Sequence, residues 1–416
     1  MPDVLKMAAR NLMRYQRRTL LTALLIVIGI VGVLLFISIA GSFKSEMIAQ
    51  FTDSVLGDLE VHHRGYVASI DNLPLDLNMS AQASAKVEDT LAHDPAVAAF
   101  SPRLKLPAMF SNFTETTSIR VNGIDPASED ATCPLLRDRL LAGPKPGQPL
   151  LRPGQILLPA LLARGMHVKL GDTVVLVATN VQGSVNGKTF VVAGILDSIS
   201  GPGGRDGYID IRDARDLLRI TKPEVNEIAV RLKDPDKVDA AAAVLRKDFA
   251  GMTASDGKPL LEVHTWADLS PFANLARMID VMTLFIKITL VAVVLVSVMN
   301  VMVMAVYERI REIGAIAAIG TPPSRILAMF LSEGLLLGTG GAAIGIVLSL
   351  AFIWALNVWK LRFAFGQQQN IVLAPWIGAG DVAAVAGIVI LVAVAASLQP
   401  AWKAARMDPI GALRHV

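Results

Sequence analysis

Thr19–Ala40 reads TLLTALLIVIGIVGVLLFISIA, 22 residues without a charged side chain. A helix needs about 20 apolar residues to cross a hydrocarbon core, so this run alone commits the chain to a bilayer. Three more runs follow. Ile288–Tyr307 gives 20 residues bounded by Lys287 and Glu308, and Leu335–Val358 gives 24 after Glu333. Val382–Leu398 gives 17 and extends backwards past Asp381 toward Trp376. Composition agrees: 53% of residues are hydrophobic and the mean hydropathy is +0.51, above the range of ordinary soluble domains. Ser38-Ile39-Ala40 looks like a small-x-small cleavage site. However, the first run exceeds the roughly 7–15 residues of a signal core, so it reads as an uncleaved anchor.

Basic residues orient the spans. Lys6, Arg10, Arg14, Arg17 and Arg18 precede the first. Arg309, Arg311 and Arg325 lie between the second and third, and Lys403, Arg406 and Arg414 follow the fourth. If the spans alternate, all three sets face the cytoplasm. Lys360 and Arg362, between spans three and four, oppose the rule and are outnumbered. Residues 41–278 then lie outside. They hold 25 Lys/Arg against 29 Asp/Glu, the balance of a soluble, slightly acidic domain, whereas the remainder holds 14 against 7. The only cysteine, Cys133, allows no intrachain disulfide, so this domain must stand on its own core.

The outer segment reads as mixed α/β. Residues 41–56 have helical spacing and extend the first span. Ala81–Ala92 reads as a helix stopped at His93-Asp94-Pro95. Val174–Thr179 and Thr189–Leu196 are strand-like, with Asn186-Gly187 as the expected hairpin turn. Ile209–Leu218 and Val238–Phe249 look helical. Pro/Gly punctuation at 143–154 and 201–207 marks loops, the first dividing two candidate lobes.

Chemical motifs are few. GSVNGKT at 183–189 resembles a phosphate loop but has three residues between its glycines where the motif needs four, and it sits on a hairpin. No ATPase is expected in the chain. GTGGAAIG at 338–345 lies inside a span, where small residues serve close helix packing. His62-His63, His93 and His264 lack ligand spacing and read as solvated surface residues. Lys287, Glu333 and Asp381 lie near span ends, where such charges can snorkel. Ser297 and Asn300 read as interhelical hydrogen-bonding residues. The absence of a catalytic constellation excludes no chemistry outright but favours a non-enzyme.

Residues 307–325, YERIREIGAIAAIGTPPSR, stand out between two spans. Tyr307–Ile319 has helix-forming composition, with isoleucines 310, 313 and 316 on one stripe. Thr321 is the expected cap of the next helix, with Pro322 or Pro323 at its first position. An amphipathic helix and a sharp turn on the cytoplasmic side present a handle to a cytoplasmic partner.

That segment resembles the coupling helix of the MacB/FtsX/LolC-LolE family of ABC-transporter permeases. Glu308, Arg309, Arg311, Glu312, Ile313, Gly314, Gly320 and Glu333 carry the likeness, with Glu333 at the start of a Gly-rich span. The N-terminal AARNLMRYQRRTLLT resembles the family's amphipathic helix. The tail resembles its C-terminus through Pro400, Ala404, Ala405, Asp408, Pro409, Ala412 and Leu413. The resemblance implies four transmembrane helices with a large mixed α/β MacB-like periplasmic core domain between the first and second.

The resulting plan is an N-terminal amphipathic helix (1–18), span one with its extension (19–56), and an external domain (57–270) with lobes at about 57–142 and 155–235. Span two with its extension (271–307), the coupling helix and turn (308–325) and span three (326–359) follow. An external loop (360–375), span four (376–399) and a cytoplasmic tail (400–416) complete it. The resemblance also implies coupling residues, here Glu308, Arg309, Ile310, Arg311, Glu312, Ile313, Gly314, Ile316 and Gly320, with Glu333 at the third span's start. It implies two copies of a cytoplasmic ABC ATPase that uses ATP and Mg, a second permease, identical or homologous, and a periplasmic adaptor, carrier or lipoprotein. Membrane lipid is expected as a partner, nucleic acid is not, and no cofactor is expected on this chain. The implied location is the bacterial inner membrane and the implied role is mechanotransmission. The cargo reading is lipoprotein release or export of a hydrophobic or peptide substrate. The alternatives are an FtsX-like regulator of a cell-wall hydrolase and a membrane-anchored enzyme or sensor.

Overall fold

The computed structural model describes residues 2–14, 16–198, 206–254, 257–360, 362–365 and 368–408. The chain forms two compact units. One comprises Met1–Ser45, Ala276–Arg362 and Val372–Val416, and the other comprises Glu46–Leu275 with Phe363–Ile371.

Among the described residues, four helices are long and apolar enough to cross a membrane: Thr19–Leu56, Ala273–Glu308, Pro323–Trp359 and Ala379–Ala405. The helix Gln16–Phe51 has 36 residues, about 54 Å at 1.5 Å per residue, well beyond the roughly 30 Å that lipid requires. The expected extension of the first span is therefore one unbroken helix, closed by a single π-helical turn at Thr52–Leu56.

Lipid gives apolar side chains no reason to leave it for one another, so the spans pack by close approach of small residues. A Cβ built on Gly338 would lie 2.8 Å from Ala393 Cβ on the fourth span. One on Gly341 would lie 2.7 Å from Ile26 Cγ2, and one on Gly345 2.9 Å from Ile30 Cβ, both on the first span. The GTGGAAIG run thus serves two neighbours from two sides of one helix. Ile26, Ile30, Leu34, Val298, Met302 and Phe330 fill the buried centre. Asn300 instead lies exposed on its helix, not between helices as expected.

The external unit is built on ten strands: β1 (Leu59–His63), β2 (Val97–Ser111), β3 (Thr116–Ile124), β4 (Leu140–Ala142), β5 (Gln155–Pro159), β6 (Thr173–Thr179), β7 (Val185–Leu196), β8 (Gly207–Asp210), β9 (Glu227–Leu232) and β10 (Leu261–Thr265). The pairings β2–β3, β3–β8, β8–β5, β5–β7, β7–β6 and β6–β2 close a ring of six. β2 is long enough to join two groups: Val97–Arg103 pairs with β9 and Met109–Ser111 with β6. β9 continues to β1 and β10. Alternate residues of β6, Val174, Leu176 and Ala178, point inward as the period of two requires.

Several expectations change. Strands from 57–142 and 155–235 interleave in the same sheet, so 143–154 is a loop within one unit rather than a border between lobes. The β6–β7 turn lies at Asn180–Ser184, not at Asn186-Gly187. Register pairs Ala178 with Asn186 and Val177 with Gly187 inside the ladder. Asn180 Oδ1 accepts from Gln182 N and Ser184 N, and Gly183 takes φ +81°, so the longer loop satisfies its own backbone. Ile209 belongs to β8. The following helix runs Ile211–Leu218, because Asp210 caps it by accepting from Arg212 N. Val238–Phe249 is a helix as expected, and the helix expected over Ala81–Ala92 runs one residue further, to His93. The 360–375 loop contains a two-stranded ribbon, Arg362–Phe365 with Gln368–Val372. Of the tail residues, Pro409, Ala412, Leu413 and Arg414 lie outside the described residues, as does most of the 201–207 loop.

Candidate coupling site

The second long helix ends at Glu308. Arg309, at φ −113° and ψ 16°, interrupts it, and a separate helix runs Ile310–Ala318. The single helix expected over Tyr307–Ile319 is thus two. Gly320 adopts φ +96°, which glycine alone takes without strain, and turns the chain toward Pro322 and Pro323. Pro322 is the N-cap and Pro323 opens the third long helix. No side chain caps it, so Thr321 does not have the expected role. A proline at the first position loses no hydrogen bond, since that amide has no helical acceptor anyway.

The reason for the break lies in the Arg309 side chain. Its Nη1 donates to Glu333 Oε1 at 2.9 Å, and both residues are buried, at 4% and 2% exposure. Asn11 Nδ2 donates to the same oxygen at 2.9 Å, while Arg309 Nη2 donates to the Asn11 carbonyl at 3.3 Å. Three segments far apart in sequence, the N-terminal helix Pro2–Arg14, the end of the second span and the start of the third, thus meet at one carboxylate. An ionised group in an apolar interior costs several kcal/mol unless paired, so Glu333 and Arg309 hold each other in place. Glu333 does not snorkel as expected, because its partner is already inside. Asn11 was not singled out from the sequence. Its signal was present: it falls one turn after Ala8, which is fully buried on that helix's apolar side.

The expected coupling residues divide into two sets. Arg309, Ile313 and Gly314 are buried and Ile310 is half-buried, so they fix the element from within. Glu308, Arg311, Glu312, Ile316 and Gly320 are exposed. The isoleucine stripe is therefore not the free face. Ile313 joins the buried core of the helices. The exposed apolar surface consists of Ile316, at 39% exposure, with Tyr307 at 65% and Ile319 at 87%, two residues the stripe left out. Glu312 accepts from Arg14 Nη1 at 3.2 Å across a solvent-exposed pair. Such a pair is worth at most about 1 kcal/mol. Among the described residues, Arg309 and Glu333 are the buried ionisable groups here, and each is engaged by the other.

Four long apolar helices with an α/β unit inserted between the first and second are the plan of a multi-pass membrane protein with an extracytoplasmic domain. The model of the MacB-like periplasmic core domain matches residues 19–248, and that of the FtsX-like permease C-terminal region matches residues 284–409. The chain belongs to the MacB/FtsX/LolC family of ABC-transporter permeases. It is 24% identical over 408 residues to the lipoprotein-releasing system transmembrane protein LolC of Neisseria meningitidis, covering 94% of this chain and 92% of that protein. It is 32% identical over 229 residues to the pyoverdine export ATP-binding/permease protein PvdT of Pseudomonas syringae pv. tomato, covering 54% of this chain and 33% of that one. The periplasmic region of MacB from Actinobacillus actinomycetemcomitans aligns with 13% identity and a TM-score of 0.35, over 53% of this chain and 92% of that one.

Proposed function

We propose that this chain is the permease subunit of an ABC transporter in a bacterial inner membrane and that it works by mechanotransmission. A separate cytoplasmic ATPase, in two copies, hydrolyses ATP with Mg and presses on the Ile310–Ala318 helix. A second permease, identical or homologous, completes the assembly. The helices that continue beyond the bilayer pass the movement to the external unit, and cargo is handled on the outer side. The observation that carries this reading is the split of the 307–333 segment. One side shows Tyr307, Ile316 and Ile319 to solvent; the other is anchored by Arg309 and Glu333 to the N-terminal helix and the third span. A helix so anchored moves with the spans instead of bending independently.

The near-complete match to LolC supports lipoprotein release as the cargo class; a periplasmic carrier would then be the receiver. The partial match to PvdT supports export as the competing class; the substrate would then be hydrophobic or a peptide, handled beside an adaptor.

The test is co-purification of the full chain with a candidate ABC ATPase from the same organism. Ile319→Asp should abolish the complex, and Glu308→Lys with Glu312→Lys should weaken it. ATPase activity should depend on the permease in the unsubstituted complex only. A complex indifferent to all three changes would remove the coupling assignment, and no ATPase partner at all would remove the transporter reading.

A further inference from the structure

The external unit buries a second charged cluster. β1 carries Glu60 and His62, two residues apart and hence on one side of the strand. β9 adds Glu227, β2 adds Arg103 and Lys105, and the helix Pro126–Thr132 adds Glu129. Lys105 is 9% exposed and the other five are at most 2% exposed. His62 was expected at the surface; it is fully buried because its strand lies between β9 and β10.

Arg103 is the hub. It donates to Glu129 from Nε at 2.9 Å and from Nη2 at 2.7 Å, and to Glu227 from Nη1 at 3.0 Å. Nη1 also donates to the carbonyl of Val55, in the π-helical turn that ends the first long helix. Arg231 Nη2 holds Asp53 of the same turn at 2.7 Å. The end of that helix is therefore fixed to the sheet by guanidinium groups. Asp58, the next acid along, has its own partners: Leu232 N at 2.8 Å and Arg231 Nη1 at 3.8 Å.

Among the described residues, three carboxyl groups, Glu60, Glu129 and Glu227, meet two basic side chains, Arg103 and Lys105. The missing charge has an obvious carrier. His62 Nε2 lies 3.3 Å from Glu60 Oε2 and 3.7 Å from Glu227 Oε2. Nε2 therefore faces both carboxylates from within the protein, and an imidazolium there would be paired on two sides. The other groups around the ring are neutral or already matched. Tyr66 stacks on it at 5.3 Å, and its phenol is pushed far up by burial, then by Glu227 and Glu60. His264 on β10 lies 5.5 Å away, lowered by burial and then by the charge on His62, and Glu262 stands beside it at 3.8 Å. Across the adjoining cavity, Asp206 is paired with Arg120 at 3.0 Å.

We propose that His62 is held as an imidazolium inside this cluster, and that its charge completes the balance around Arg103, the residue that ties the end of the first long helix to the external sheet. Burial opposes the charge on His62, but Glu227 and Glu60 outweigh it and raise its proton affinity above that of a free imidazole. Burial likewise opposes ionised Glu227, yet Lys105, His62 and Arg103 hold it well below the usual carboxylate range. The stabilisation is thus complete below the ordinary imidazole range and is lost as pH rises through the raised value. A divalent metal is the rival occupant, since the ligand atoms of Glu60, His62 and Glu227 lie within 4.8 Å of one another. It would bring two charges where one is missing, and Lys105 Nζ already lies 2.6 Å from Glu227 Oε2. The inference does not rest on mechanotransmission; under that reading, the joint is where movement enters the external domain.

The test uses the full chain in nanodiscs and reads amide hydrogen exchange across 46–63, corrected for intrinsic exchange rates. Protection should fall by at least about tenfold as pH rises past the titration of His62, as expected when a buried ion pair is broken. His62→Gln should lower it to a similar extent at every pH. The decisive variant is Glu60→Gln with His62→Gln, which removes one charge of each sign and should restore protection without pH dependence. Unchanged protection in His62→Gln would overturn the proposal, as would failure of the double variant to recover. One equivalent of tightly bound metal, lost in His62→Gln, would overturn it in favour of the metal.

Discussion

Glu333→Gln isolates the buried latch of the coupling site. The substitution keeps shape and one acceptor but removes the charge that answers Arg309, which is 4% exposed. Breaking a buried pair from one side costs about 3–5 kcal/mol, and the retained acceptor places this case near the lower end, about 3 kcal/mol. The loss falls where the latch acts. Asn11 Nδ2 and the Asn11 carbonyl are its contacts on the N-terminal helix, so Pro2–Arg14 should open from the third span. A cost of about 3 kcal/mol is more than a hundredfold in the opening equilibrium. Hydrogen exchange of the full chain in nanodiscs reads this directly: amides of 2–14 should lose that protection while those of the mid-second span keep theirs. Arg309→Met with Glu333→Met, which removes both charges and fills the space, should recover most of the protection, to within about 1 kcal/mol of the natural chain. If Glu333→Gln leaves 2–14 as protected as before, or if the double variant is worse than the single, the pair is not what holds the helix.

Gly341→Leu should lower thermal stability by about 1–3 kcal/mol, because even a Cβ there meets Ile26 Cγ2 at 2.7 Å. Gly340→Ala, facing open space one residue away, should be neutral or stabilising by up to about 1 kcal/mol; equal melting shifts for the two would refute the packing assignment. Burial pushes the Cys133 thiol up to about 12 against the opposing pull of Arg103, so maleimide labelling at pH 8 should be very slow in the folded chain and rapid in denaturant. Fast labelling of the native chain would contradict the burial. Asp210→Ala removes the cap of Ile211–Leu218 and should cost about 1 kcal/mol by denaturant titration. Burial opposes the Asp210 charge but the Arg212 side chain and amide lower its pKa, so its contribution is present above the ordinary carboxylate range and lost as pH falls through the depressed value. The alanine variant should therefore have a shallower acid limb.

Elements carried by period or punctuation were legible before any coordinates. The helix at Ala81–His93 has its Pro95 stop in the sequence, and Val238–Phe249 its helical spacing. Boundaries failed where a local signal met a tertiary one. Asn186-Gly187 is a good turn pair, but the β6–β7 register that buries Val174 and Leu176 draws it into the ladder. The expected coupling residues stand out in the sequence as a motif, yet which of them are buried could not be read from it. Whether Arg309 points to a partner or to Glu333 depends on residues 24 and 298 positions away.

By itself the sequence determined that the chain crosses a membrane, how many times, which ends share a side, and that a mixed domain interrupts the spans. These follow from the length of apolar runs and the placement of charge, and no distant residue alters them. Only the tertiary structure decided which charges are buried. Nothing local in the sequence says that Glu333, Arg309, Glu60 and His62 are buried. An ionised side chain is affordable inside a protein only where its partner arrives from another segment. The opposed pairs at Arg309–Glu333 and around Arg103 are therefore properties of the fold.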